Sequence, residues 1–123
     1  MLLITKSHFE KLEKMYLQAN VNTMIFDTTT CKISNGYSEI GLKISEKYFH
    51  ALGAIHGSVY FKLLDDASFF AVNSIVEDVF VLTTSFNINL IRPADQGLIK
   101  SVGKLKYKSR DLFVAESTLY NED

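Results

Sequence analysis

Two groups near the middle of this chain could do chemistry together. Asp65 stands in the run Leu63-Leu64-Asp65-Asp66-Ala67, a carboxylate among apolar neighbours, and His56-Gly57-Ser58 precedes it with the composition of a turn into a helix. Apolar surroundings strip a carboxylate of hydration, which raises its pKa and makes its anion a stronger base or nucleophile. A glycine where a helix begins has an unpaired backbone N–H, no side chain to keep a ligand away, and the positive end of the helix dipole behind it. A base and an oxyanion donor are the equipment for attack on a carbonyl carbon.

The element that must carry both is a helix over residues 57–74. Val59, Tyr60, Phe61, Leu63, Leu64, Ala67, Phe69, Phe70, Ala71 and Val72 cover most of its circumference, so it must be wrapped by other structure. Ser7 and Glu10 have the spacing of a capping box, and Phe9, Leu12, Tyr16 and Ala19 recur at helical intervals up to Asn20, which predicts an amphipathic first helix. Residues 24–33, the pair Asn35-Gly36, and the alternation of Ile40, Leu42 and Ile44 predict a β-hairpin. Residues 80–91 alternate Thr84, Phe86, Ile88 and Leu90 with Thr83, Ser85, Asn87 and Asn89 until Arg92-Pro93 ends the pattern, and two more strands are expected at 98–107 and 112–120. The order predicts one α+β domain over 1–123, an antiparallel sheet curled around a central apolar helix.

Composition narrows the function. With 123 residues, 47% hydrophobic and 22% charged, the chain suits one globular core, and a net charge of -1 lacks the cationic footprint of nucleic-acid binding. Cys31 is the only cysteine, so no disulfide forms within the chain, which fits a reducing compartment. Residues 1–6 lack a secretory pattern, and no window approaches the ~18 apolar residues of a membrane span, so a soluble cytoplasmic protein is expected. His8, His50, His56 and Cys31 show no recognised ligand spacing, and no metal site is assigned.

The stretch from His50 through His56-Gly57-Ser58 to Asp65-Asp66, with Thr83-Thr84-Ser85-Phe86-Asn87-Ile88-Asn89 and Arg92-Pro93-Ala94 downstream, resembles the hotdog-fold acyl-CoA thioesterases of the phenylacetic-acid-degradation (PaaI-like) type. His-Gly alone is a weak motif; His-Gly, a carboxylate nine residues past His56 and a following Arg-Pro-Ala together are moderately specific. The resemblance implies hydrolysis of a small or medium acyl- or aryl-CoA thioester, with Asp65 as general base or nucleophile and the Gly57 N–H as oxyanion donor. It implies a water-orienting hydroxyl at Thr83 and supporting roles for His56 and His50. It also implies no metal or redox cofactor, and active sites shared between the subunits of a homodimer or a dimer of dimers. Lys108 and Arg110, beyond a strand face bearing Lys100, Lys104 and Lys106, are candidates for the phosphates of coenzyme A.

Plainer readings stand beside these. Lys62, Asp65, Asp66 and Asn73 share one helical stripe, which a solvated face would also produce, with Lys62 and Asp66 an i, i+4 pair. His56 can serve only to start the helix, Thr83 only β propensity, and the lysines only a solvated edge. Tyr60, Phe69 and Phe70 can line a pocket or fill the core. The chain also departs from the family pattern. His50 replaces an asparagine, Ser58 replaces a second glycine, and the sequence stops at Asn121-Glu122-Asp123, where related chains continue into one more strand. The final family strand is therefore expected to be absent and the sheet to be completed by other contacts. The changed His50 and the missing last strand keep open a non-catalytic acyl-CoA-binding or sensor protein, and the presence of both Asp and His keeps open a hotdog hydratase or dehydratase.

Overall fold

A computed structural model describes residues 5–121. The sequence readings made on residues 1–4 and on the last turn at 122–123 lie outside the described residues. The first helix, α1 (Lys6–Gln18), turns Leu12 and Tyr16 inward, as its periodicity predicts. Its start differs from the expected capping box. Thr5 is the N-cap and makes no side-chain cap bond, and its hydroxyl instead pairs with that of Ser7 at 3.0 Å.

Beyond α1 the chain makes a π-helical turn, Val21–Ile25, where the first strand was expected to begin. The cause is Asn22, which is buried and donates its amide to the Tyr16 carbonyl at 2.7 Å, satisfying a group left open where α1 ends. The hairpin is accordingly shorter than predicted: β1 (Thr30–Ser34) and β2 (Tyr37–Lys43) meet at a turn where Gly36 adopts φ 68°, a value that favours glycine.

Two longer strands, β3 (Leu98–Lys108) and β4 (Phe113–Asn121), complete an antiparallel sheet in the order β1-β2-β3-β4. The sheet curves over the central helix α2 (Gly57–Asn73) and buries Ile33, Ile40, Leu42 and Ile99 against Val59, Leu63, Ala67 and Phe70. At the outer side of β1, Glu13 of α1 accepts the Ile33 N–H at 2.7 Å.

One row across the sheet sets how close α2 can come. Ser38 faces Gly103, and Gly103 faces Ser117, so the row is built of small residues. A Cβ at Gly103 would overlap the Ala67 carbonyl and the Ser68 nitrogen. The flanking hydroxyls bind the same helical turn: Ser38 donates to the Ala67 carbonyl and Ser117 to the Leu64 carbonyl, each at 2.8 Å.

Residues 80–91 were expected to be a strand and join no ladder among the described residues. They run back along α2 instead, held by side chains. The Val81 N–H donates to Asn73 Oδ1 at 2.9 Å, Phe86 packs on Phe61 with ring centroids 4.6 Å apart, and Leu90 reaches Gly57. Between this segment and β4 lies a groove of about 1050 Å³, and among the described residues no strand pairs with residues 80–91.

Candidate active site

The sheet grips α2 at the turn 64–68, and Asp65 belongs to that turn. With Leu64, Ala67 and Ser68 fixed against β2, β3 and β4, the Asp65 side chain faces the groove and meets residues 81–92. There Thr83 Oγ1 donates to Asp65 Oδ1 at 2.9 Å. Burial pushes the Asp65 carboxyl above the ordinary carboxylate range; the Thr83 hydrogen bond opposes this, and the charge of Asp66 adds a smaller upward push. The pair is what a base needs: a carboxylate that holds its proton more tightly than usual, with one oxygen fixed by a hydroxyl and the other open to the groove.

The remaining candidates lie at the start of the helix and in the turn before it. His56 is the N-cap of α2, and its Nδ1 accepts the Ser58 N–H at 3.1 Å while lying 2.8 Å from the Ser58 hydroxyl. A nitrogen that accepts carries no proton, which leaves the Nε2 of neutral His56 as the donor. The cap is thus the histidine ring, not Ser58 by itself. Gly57 is the first helical residue, so its N–H has no partner within the helix, and a Cβ added to it would meet only Leu90, at 3.8 Å.

His50 closes the tight turn before α2. Its Nδ1 accepts the Leu52 N–H at 3.0 Å and its backbone N–H reaches the Ala54 carbonyl at 2.8 Å. Of the five predicted catalytic residues the structure joins Asp65 to Thr83 and places His56 and Gly57 together at the helix start, while His50 bonds within its own turn. Asp65 lies eight residues beyond Gly57, about 12 Å along the helix axis.

Lys108 ends β3 and Arg110 follows in the exposed turn to β4, next to Asp111 and Leu112 at one end of the groove. Three lining groups were not singled out from the sequence. Arg92 was read as the end of a strand and as part of the Arg-Pro-Ala resemblance without a role in the site, and Ser68 and Ser117, whose hydroxyls lie 3.0 Å apart, are brought together only by the sheet. Among the aromatic residues, Tyr60 and Phe69 line the groove, while Phe70 fills the core edge-on to Tyr16. Among the described residues no group of three or more histidine, cysteine or acidic side chains could hold a metal ion, and no helix is long and apolar enough to cross a membrane.

The helix bearing Gly57 and Asp65, the groove and the last two strands fall within residues 52–123, which match the sequence model of the Thioesterase superfamily. The chain belongs to that superfamily. A candidate esterase of Saccharolobus solfataricus is 26% identical over 90 residues, or 73% of this chain, and the chain spans 60% of that relative's length. Among solved structures, a thioesterase family protein from Silicibacter pomeroyi superposes with a TM-score of 0.83 at 22% identity, over 93% of this chain and 84% of that one. The E. coli PaaI protein from the phenylacetic acid degradation operon superposes with a TM-score of 0.75 at 14% identity, over 94% of this chain and 91% of its own. At such identities these likenesses establish the fold, and this superfamily member has the hotdog fold, with α2 as the helix inside the curved sheet.

Proposed function

We propose that this superfamily member hydrolyses acyl-CoA thioesters at a site shared by two copies of the chain. The observation that carries the reading is the Asp65–Thr83 pair at the groove, with Gly57 about 12 Å away on the same helix. One copy cannot bring both to a single carbonyl, whereas two antiparallel α2 helices can. A twofold axis passing beside Phe61, midway between residues 57 and 65, sets Gly57 of one protomer against Asp65 of its partner. Phe61 is 41% exposed on the free chain, which leaves it open for such a contact.

In this arrangement the Asp65 carboxylate removes a proton from a water held with the help of Thr83. The water oxygen bonds to the thioester carbon, and the carbonyl oxygen, now carrying the charge, accepts the Gly57 N–H of the other copy. Collapse of the adduct breaks the C–S bond; the carboxylic acid leaves, and the departing thiolate takes up the proton. Tyr60, Phe69 and Leu64 offer an apolar wall for a small or medium acyl or aryl group. Arg92 at the groove, with Lys108 and Arg110 beyond its end, supplies cations suited to the phosphates of coenzyme A.

The test measures thiol release from a panel of aliphatic and aromatic acyl-CoA thioesters with wild type, Asp65→Asn and Gly57→Pro. Proline suits the first helical position, and His56 at φ -64° and ψ 140° has the conformation favoured before it, so this change removes the donor and keeps the helix. Each variant alone should lose on the order of a hundredfold or more. Refolded together they should recover about a quarter of wild-type activity, because mixed dimers contain one intact site. Folded wild type that binds acyl-CoA without turnover would replace the enzyme with a sensor, and a mixture as inactive as its components would exclude the shared site.

A further inference from the structure

On the side of α2 facing α1 lies a polar cluster that the proposed reaction does not use. Lys62 Nζ donates to Asp66 Oδ2 at 2.8 Å, to Asn22 Oδ1 at 2.8 Å and to the Tyr16 hydroxyl at 3.1 Å. Tyr16 donates its own proton to the same Asp66 oxygen at 2.6 Å. The ammonium also lies 5.1 Å from the centre of the Tyr16 ring and 4.8 Å from that of Phe26. The sequence reading paired Lys62 with Asp66 at i, i+4 on a stripe that a solvated face would also produce. The side chains of Lys62 and Asp66 are only 16% and 23% exposed, and Tyr16 and Asn22 are buried.

Sunken ion pairs of this kind add little net stability over apolar residues of similar volume, so stability alone does not account for a charge here. The position of Asp66 does. It directly follows Asp65, and a second carboxylate in a partly shielded setting repels the first. We propose that Lys62 is a positioning residue for the chemistry at Asp65: held by Tyr16 and Asn22, it pairs with Asp66 and screens Asp65 from the neighbouring negative charge. The other charged groups at the groove are Arg92 from the 81–92 segment and Asp111 and Glu116 from the β4 side; none of them contacts Asp66. The functional weight of this inference rests on the reading of Asp65 as the base, while the electrostatic statement stands apart from it.

The experiment follows the side-chain carboxyl ¹³C resonances of Asp65 and Asp66 against pH in wild type, Lys62→Met, Asp66→Asn and the double variant. Methionine keeps the apolar stem against Tyr16 and Phe26 while removing the charge, and Lys62→Arg controls for displacement of the helix. Lys62→Met should move the Asp65 midpoint upward by about half a pH unit, roughly a threefold change in its acid constant. Lys62→Arg should leave it in place, and in the Asp66→Asn background Lys62→Met should move it distinctly less. An unmoved midpoint in Lys62→Met, or an equal rise with and without Asp66, overturns the inference. Because titration needs no turnover, a protein that hydrolyses no thioester would sink the proposed function and leave this result readable.

Discussion

Thr83 donates to Asp65 across 18 residues of sequence, and this 2.9 Å contact joins the middle of α2 to a segment that belongs to no sheet ladder among the described residues. The hydroxyl restrains one carboxylate oxygen and, by bonding the charged form, works against the burial that raises the carboxyl.

Thr83→Val should therefore move the acidic limb of the kcat/KM profile to higher pH. It should also lower the plateau about tenfold or somewhat more, since a hydrogen bond to a charged group contributes roughly 1.5–3 kcal/mol. Thr83→Ser should stay near wild type. A Thr83→Val profile superimposable on wild type would remove the residue from the site.

The raised carboxyl also makes stability depend on pH. Folding holds the Asp65 proton more tightly than the unfolded chain does, so its contribution falls as pH rises from the ordinary value of 3.8 through the higher folded value. Asp65→Asn, which keeps an oxygen for Thr83 to bond, should melt above wild type at pH 7. The difference should close below pH 3.8, a trend read from melting curves between pH 3 and 8.

Gly103→Ala places a methyl group against the helix backbone at Ala67. Either the sheet or the helix must give way, at about 1–3 kcal/mol or more by comparison with other overpacked cores. Urea unfolding should show a lower midpoint, and thioester turnover should fall with it, because the displaced turn carries Asp65. Ser117→Ala should cost far less, since the Leu64 carbonyl keeps its bond within the helix.

Tyr60→Phe tests the other wall of the groove. The Tyr60 hydroxyl accepts the buried Ala94 N–H at 2.8 Å and reaches the Ala94 carbonyl at 3.3 Å. Its removal leaves a buried donor unpaired and should cost about 1–3 kcal/mol in chemical denaturation. A loss near zero would mean that water replaces the hydroxyl there.

The wrapped helix and the hairpin were legible in the sequence because their signals are local. Ten apolar residues surround α2, and Asn35-Gly36 marks the turn of β1 and β2. Asp65 and Gly57 stood out as candidates, one an acidic exception in an apolar run and the other a glycine at a helix start, and the family resemblance gave each its proposed role. What stayed hidden depends on distant partners. The alternation at 80–91 predicts a strand, but pairing belongs to whatever stands beside it, and here α2 and a groove do. The Ser38-Gly103-Ser117 row spans three strands, so no window of sequence contains it. Asn22 turned residues 21–25 into a π-helical turn through a bond to Tyr16 that local propensity does not encode. Lys62 and Asp66 looked solvated because the sequence does not say that α1 covers them.

The contact between Glu13 and the Ile33 N–H guards the β1 margin of the sheet. On the β1 side a carboxylate occupies a main-chain donor that an incoming strand would need, and a like-charged copy would be repelled. Lateral growth at that margin is therefore opposed. Two molecules that met through their β4 margins would each turn a guarded margin outward, so the union would stop at a pair and could not propagate into a filament.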